Sequence, residues 1–300
     1  MIRVGTCSWT EKTLIGSGEF YPKGVSSAED RLRYYAENFD TVEVDSSYYA
    51  IPDRHTTGLW AERTPEGFVF HVKAYGALTG HGVDPRTLPR DVLKMLIDKD
   101  REKPRLYIKE LLPTKALFGH FIDALEPLRK AGKLGLVIFQ YPQWVHYSKR
   151  GFDAMLTARE LMGGLPMAVE FRHGSWLAQA VRQRVFAFLR EHGITYVTAD
   201  EPQLGDLETV PFVPEVTTET AYFRLHGRNR DNWLRKGIET SLRFDYLYSD
   251  DELRRFIPQA LEADRRAKAT YVMFNNCHRG FAVRNSMKVK EMLKAEHGGA

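Results

Sequence analysis

Apolar residues along this chain fall into eight short runs, most of them separated by stretches whose apolar positions recur at helical spacing. The strand-like runs are residues 3–7, 41–44, 68–73, 134–139, 167–173, 194–197, 221–225 and 270–274. The fourth, Leu134 to Phe139, is apolar without interruption, the pattern of a parallel strand covered on both faces. Helical spacing predicts helices over about 28–38, 56–63, 115–130, 152–162, 178–192, 251–268 and 285–296. Ser26 and Glu29 stand at capping-box spacing before the first of these. Leu117, Phe121, Leu125 and Leu128 mark one face of the third, which Gly132 stops, and Gly193 ends the fifth.

Strands that alternate with helices predict a parallel sheet with helices outside it, and eight of them predict a single-domain (β/α)8 barrel over 1–300. A doubly wound open sheet is disfavoured, because the first strand is not followed by a glycine-rich G-x-G-x-x-G turn. Residues 8–22 read as loop. Residues 74–113 form a long elaborated loop, partly helical near 91–98, and 227–248 an Arg- and aromatic-rich insertion. No convincing helix lies between 201 and 218, so one βα repeat is degenerate.

Composition narrows the class without naming it. In 300 residues, 43% hydrophobic and 27% charged, the balance is that of an ordinary soluble globular protein. A net charge of +4 permits an anionic ligand but falls short of a dedicated nucleic-acid binder. No apolar run approaches membrane-spanning length, so no membrane partner is expected. The start lacks a signal-peptide pattern and the two cysteines, Cys7 and Cys277, make no disulfide framework; both favour a cytoplasmic location.

Polar residues gather where such a barrel does its work, at the carboxyl ends of the strands. Glu43 and Asp45 end the second strand, His71 and Lys73 the third, and Gln140 the fourth. Glu170 and Arg172 follow in the fifth, Asp200 in the sixth, Arg224 and His226 in the seventh, Asn275 and Asn276 in the eighth. Side chains two apart on a strand share a face, so Glu170 and Arg172 point together. Ion pairing alone would explain any single member. The recurrence at all these ends predicts a site. Trp9, Tyr48, Tyr49, Trp144, Trp176 and Trp233 surround the same end and suit stacking of a sugar or base, although each is also a natural core residue.

Lys73, Arg172 and Arg224, extended by Arg228 and Arg230, suit a phosphate or carboxylate. A divalent metal is the competing expectation, held by Glu43, Glu170, Asp200 and His226. No local ligand motif supports it, and the neighbouring cations oppose it. His81, His120 and His278 have no evident partner. Cys7 and Cys277 become neighbours when a barrel closes, with small buried thiols the default.

Several of these segments together resemble one family. Gly5-Thr6-Cys7-Ser8-Trp9, Phe20-Tyr21-Pro22, and Thr41 through Tyr49 carry the likeness, with Pro65 through Lys73 and Gln140-Tyr141-Pro142. So do Val169 through Trp176, Arg224-Leu225-His226-Gly227-Arg228, and Phe274-Asn275-Asn276 with Ala282 and Asn285. The family is the domain-of-unknown-function family 72, the YecE-like proteins. Cys7-Ser8 stands where that family usually shows Ser-Gly. The resemblance implies a TIM barrel and supplies no reaction. By fold analogy alone it is similar to metal-dependent sugar isomerases and to endonuclease IV, whose His-rich ligand set is absent here.

The expectation drawn from the residues is an enzyme of hydrolase or isomerase type. Its substrate would be a small anionic, phosphorylated sugar- or nucleotide-like molecule at the barrel mouth. Glu43, Glu170 and His226 are the catalytic candidates. Lys73, Arg172 and Arg224 would hold the anion. Gln140, Asn275 and Asn276 would orient hydroxyls, Asp200 would position a cation or hydroxyl, and Trp9 and Trp176 would line the site. The alternatives are a non-catalytic nucleic-acid binder using residues 99–115 and the second insertion, and a barrel closed by a partner chain.

Overall fold

The computed structural model describes residues 1–205 and 207–298; Asp206, Gly299 and Ala300 lie outside the described residues. Eight strands form one parallel sheet: β1 (Ile2–Thr6), β2 (Thr41–Val44), β3 (Val69–Lys73), β4 (Leu134–Gln140), β5 (Met167–Glu170), β6 (Thr195–Asp200), β7 (Thr220–Leu225) and β8 (Ala269–Phe274). Their order, β1-β8-β7-β6-β5-β4-β3-β2, is that of an α/β TIM barrel closed but for one seam. The helices are α1 (Lys12–Ser17), α2 (Ala28–Asn38), α3 (Arg54–Glu62), α4 (Arg90–Lys94), α5 (Asp98–Arg101), α6 (Leu111–Lys130), α7 (Lys149–Leu161), α8 (Arg182–Glu191), α9 (Arg230–Trp233), α10 (Asp250–Arg266) and α11 (Phe281–Gly298).

The open seam lies between β1 and β2, and a side chain spans it. The Tyr35 hydroxyl, carried on α2, accepts from the Thr6 amide at 3.0 Å and donates to the Thr41 carbonyl at 3.2 Å. One phenol thus takes the place of a missing ladder hydrogen bond. The close approach also explains Gly5, where a Cβ would lie 2.4 Å from the Thr41 carbonyl oxygen.

Inside the barrel, Leu136, Ile138, Ala168, Val197, Tyr222 and Met273 pack with Cys7 as one cluster. The larger core lies between sheet and helices, with Tyr35, Phe39, Phe68, Phe70 and Phe121 fully buried. This division sets the parity of every strand, and so fixes which terminal residues look into the mouth.

Several local expectations shift. The helix predicted at 28–38 is capped by Ser27 and Asp30, not Ser26 and Glu29. The Ser27 hydroxyl accepts from the Asp30 amide, and the Asp30 carboxylate accepts from the Ser27 amide. The loop read at 8–22 contains α1, whose N-cap Glu11 accepts from the Leu14 amide and whose end is Gly18 at φ 65°. β5 stops at Glu170, so Arg172 stands just beyond the strand. No helix forms among the described residues of 201–219, and hydrogen bonds hold that segment instead. Thr217 bonds the Tyr196 amide and the Ile194 carbonyl, while the Glu201 carboxylate accepts from the Val210 amide. No helix among the described residues is long and apolar enough to cross a membrane.

Candidate functional site

Arg224 projects from β7 into the barrel and is completely buried. A guanidinium removed from water must find acceptors, and this one finds three carboxyl groups. Its Nη2 donates to Glu43 Oε1 at 2.6 Å and to Asp45 Oδ1 at 3.3 Å. Its Nη1 donates to Glu170 Oε2 at 2.5 Å and to Gln140 Oε1 at 3.2 Å. Residues from β2, β4, β5 and β7 are tied together by one side chain.

The carboxylates around Arg224 are not equivalent. Burial pushes Glu43 up to about 7, because Arg224 opposes that only in part and the negative Asp45 adds to it. Burial acts the same way on Glu170, yet Arg224, His226 and Arg172 together hold it well below the usual carboxylate range. Asp45 is lowered as well: Lys73, Arg224 and a hydrogen bond with Glu43 outweigh its burial. Glu43 is therefore the one of the three that holds its proton most readily. The Tyr222 hydroxyl, also inward-facing, donates to Glu43 Oε2 at 2.8 Å.

His226 is neutral, since burial pulls it down to about 4. Asn275 Nδ2 lies 2.8 Å from His226 Nδ1, and His226 Nε2 lies 3.1 Å from Glu170 Oε1. Arg172 Nη1, which only donates, also lies 3.2 Å from Nε2, so that nitrogen sits between a carboxylate and a guanidinium. The imidazole is thereby packed against both Glu170 and Arg172.

Above this layer opens a cleft of about 410 Å³. Asp45, Lys73, Gln140, Arg172 and Asn275 form its floor. The two long insertions supply much of its wall, His81 and Arg105 from one, Trp233, Arg243 and Phe244 from the other. Tyr48, Tyr49 and Trp144 complete the rim, with Tyr49 and Trp144 largely exposed. Arg172 is held on three sides: Nη1 meets Glu170 at 2.9 Å, Nη2 meets Glu201 at 3.3 Å, and Trp233 lies 4.9 Å across its face. Lys73 Nζ lies 3.5 Å from Asp45 Oδ1 and 4.9 Å from the centre of the Tyr48 ring.

Eight of the twelve candidates thus converge, in two layers. Lys73, Gln140, Arg172 and Asn275 face the cleft, whereas Glu43, Glu170, Arg224 and His226 lie sealed beneath its floor. Four stand elsewhere. Asp200 has the parity opposite to Ala199 and looks outward, where it accepts from Arg228 at 2.8 Å and Tyr248 at 2.5 Å. Asn276 likewise turns away, its amide bonding Asn285 at 2.8 Å and the Tyr246 carbonyl. Trp9 packs edge-on against Trp60 in the outer core, and Trp176 stacks on Phe171 while donating to the Val145 carbonyl. The expected metal set is broken by the same parity. Asp200 leaves the interior, and Arg224 occupies the position between Glu43 and Glu170. Among the described residues no three His, Cys, Asp or Glu side chains are grouped to hold a metal ion.

Other expectations find partners or new members. His120 pairs with Asp91 at 2.8 Å, His81 with Thr79 at 2.8 Å, and His278 approaches Asp245 at 3.6 Å. Arg228 is spent on Asp200 and Glu252. Cys7 and Cys277 are free thiols, both pushed up by burial. Glu201 escaped notice although strand parity points to it, two beyond Ala199. It is buried and raised to about 7, chiefly by that burial. Asp45 and Tyr222 are readable by the same alternation. Arg105 and Arg243, deep in the insertions, have no local signal.

Residues 3–300 match the family described as "Protein of unknown function DUF72". The chain belongs to the DUF72 family. A curated relative, the UPF0759 protein YunF of Bacillus subtilis, is 30% identical over 303 residues, covering 100% of this chain and 97% of its own. A solved DUF72 protein of Thermotoga maritima is 33% identical with a TM-score of 0.77, covering 98% of this chain and 99% of the other. Another, from Enterococcus faecalis, is 26% identical with a TM-score of 0.79, covering 98% and 96%. Neither the DUF72 description nor the names of these relatives states an activity.

Proposed function

We propose that this DUF72 protein is an enzyme that binds a small anionic, hydroxyl-bearing substrate of the sugar-phosphate or nucleotide kind and acts on it by acid–base chemistry, hydrolytic or isomerising. The observation that carries this is the composition of the cleft. Four cations, Lys73, Arg105, Arg172 and Arg243, converge on it against two carboxylates, Asp45 and Glu208. Arg172 receives the anion, because its three restraints remove most of the ordering cost of binding. Asp45 replaces Glu43 and Glu170 as the group that meets substrate. Glu43, which shares a hydrogen bond with it, stores the proton that Asp45 exchanges. Gln140 and Asn275 present amides to hydroxyls, and rim aromatics cover the ring.

Calorimetric titration at low salt with inorganic phosphate and a series of sugar phosphates tests the binding half. Arg172→Ala is expected to weaken the interaction roughly 10- to 100-fold, the loss of one charge-assisted contact. Equal affinity in wild type and variant, or no heat at all, rejects the proposal.

A further inference from the structure

An anion receptor has no need of a lysine on its floor. Three guanidinium groups, on Arg105, Arg172 and Arg243, already line the cleft. They suit phosphate bidentately and never become nucleophiles. Among the described residues lining the cleft, Lys73 carries the sole primary amine. It sits at the end of β3, a rigid element, with its side chain 13% exposed and its ammonium against the Tyr48 ring. Its carboxylate neighbour Asp45 is 3.5 Å away, longer than the ~2.7–2.9 Å of a tight charge-assisted hydrogen bond, so the amine is accompanied rather than locked.

We propose that Lys73 is the covalent catalytic residue of this site and that its substrates are small phosphorylated aldehydes or ketones, held by the arginines and joined to Lys73 as an imine. This rests on the anion-binding proposal above and narrows it to carbonyl compounds. Asp45 takes one proton from the ammonium, and the freed amine pair forms a C–N bond while the carbonyl π bond breaks to the oxygen. The carbinolamine nitrogen then passes its second proton to that oxygen, Asp45 delivers its own proton to the resulting hydroxyl, and the nitrogen pair forms the C=N bond as the C–O bond breaks to expel water. Ammonium plus carbonyl becomes protonated imine plus one water, with every proton accounted for. The imine draws electrons from the adjacent carbon, which permits proton removal there, the step an isomerisation needs. Water returns to release the product and the amine.

Trapping with a hydride donor tests this. The full-length protein is mixed with glycolaldehyde phosphate or dihydroxyacetone phosphate and cyanoborohydride, and adducts are mapped by mass spectrometry beside a phosphate-binding titration. Labelling at Lys73 is expected to exceed that at exposed lysines by at least ~10-fold, from the proximity a bound substrate confers. It should saturate with substrate, fall with added inorganic phosphate, and vanish in Lys73→Arg, which keeps the charge. Phosphate esters that bind while Lys73 reacts no faster than exposed lysines would overturn the imine and leave anion binding standing. Absence of both binding and preferential labelling overturns the two together.

Discussion

Arg224 Nη2 lies 2.6 Å from Glu43 Oε1, and neither side chain has any access to solvent. The pair spans from β7 to β2, and the other half of the same guanidinium reaches Glu170 on β5. The interior is therefore braced by a charge set whose members depend on one another.

Removal of the central cation should expose that dependence. Arg224→Ala leaves Glu43, Asp45 and Glu170 facing one another without their shared counter-charge, and about 3–5 kcal/mol of stability is expected to be lost. Chemical denaturation reads it directly. Glu43→Gln should cost far less, on the order of 1 kcal/mol, because the amide mimics the protonated acid already present. A larger loss from Glu43→Gln than from Arg224→Ala would invert the assignment of charge.

The same assignment has a pH signature. Glu43 and Glu201 are each raised to about 7 in the folded chain, mainly by burial. A raised acid binds its proton more tightly when folded, so its stabilisation is full below the unfolded value near 4.5 and lost as pH rises through 7. His71, His81 and His226, lowered mainly by burial to about 3, about 4 and about 4, act in the opposite sense between those values and 6.5. The wild-type profile over pH 4.5–6.5 thus sums opposed contributions, and the variants separate its parts. Relative to wild type, Glu43→Gln and Glu201→Gln should each gain stability as pH rises from 4.5 to 7, by at most ~1.4 kcal/mol per pH unit. Denaturant midpoints at four pH values suffice. A flat difference profile for both variants would mean that neither acid holds its proton in the folded state.

Barrel architecture and the inner layer were legible because both follow from a period of two. Polar residues at seven strand ends, four of them as i, i+2 pairs, placed Glu43, Lys73, Gln140, Glu170, Arg172, Arg224, His226 and Asn275 in one interior. The placements that moved did so for the same reason. Asp200 and Asn276 lie at the ends of their strands, but parity counted from Val197 and Met273 selects Glu201 and Asn275 instead. Depth was not legible. Whether Glu43 or Asp45 meets solvent depends on how high each strand climbs, and that is set by stagger between strands. Nor do Trp9 and Trp176 differ in sequence from Trp144 and Trp233; the two pairs separate because long insertions carry or contact the latter.

Tyr35 offers a test of the seam. Tyr35→Phe keeps the packing of the ring but strips the group that serves both the Thr6 amide and the Thr41 carbonyl. With both buried and unpaired, a loss of about 1–3 kcal/mol is expected. The Thr6 amide should exchange with deuterium markedly faster than its β1–β8 neighbours. Unchanged stability and protection would mean the seam closes by itself.

Trp233 is the side chain on which the precision of Arg172 depends. Its ring lies 4.9 Å from the guanidinium carbon, and it belongs to the second insertion rather than to the barrel. Trp233→Leu keeps an apolar cover but removes the π face, a contribution of about 0.5–2 kcal/mol. Affinity for inorganic phosphate should fall by roughly 2- to 30-fold for that range. Glu201→Gln frees the other side of the same guanidinium and should weaken binding independently. If the double variant binds as well as either single one, the two contacts hold Arg172 as a unit. If all three bind as wild type does, Arg172 is not the group that meets the anion, and the phosphate must rest on Arg105 and Arg243 at the rim.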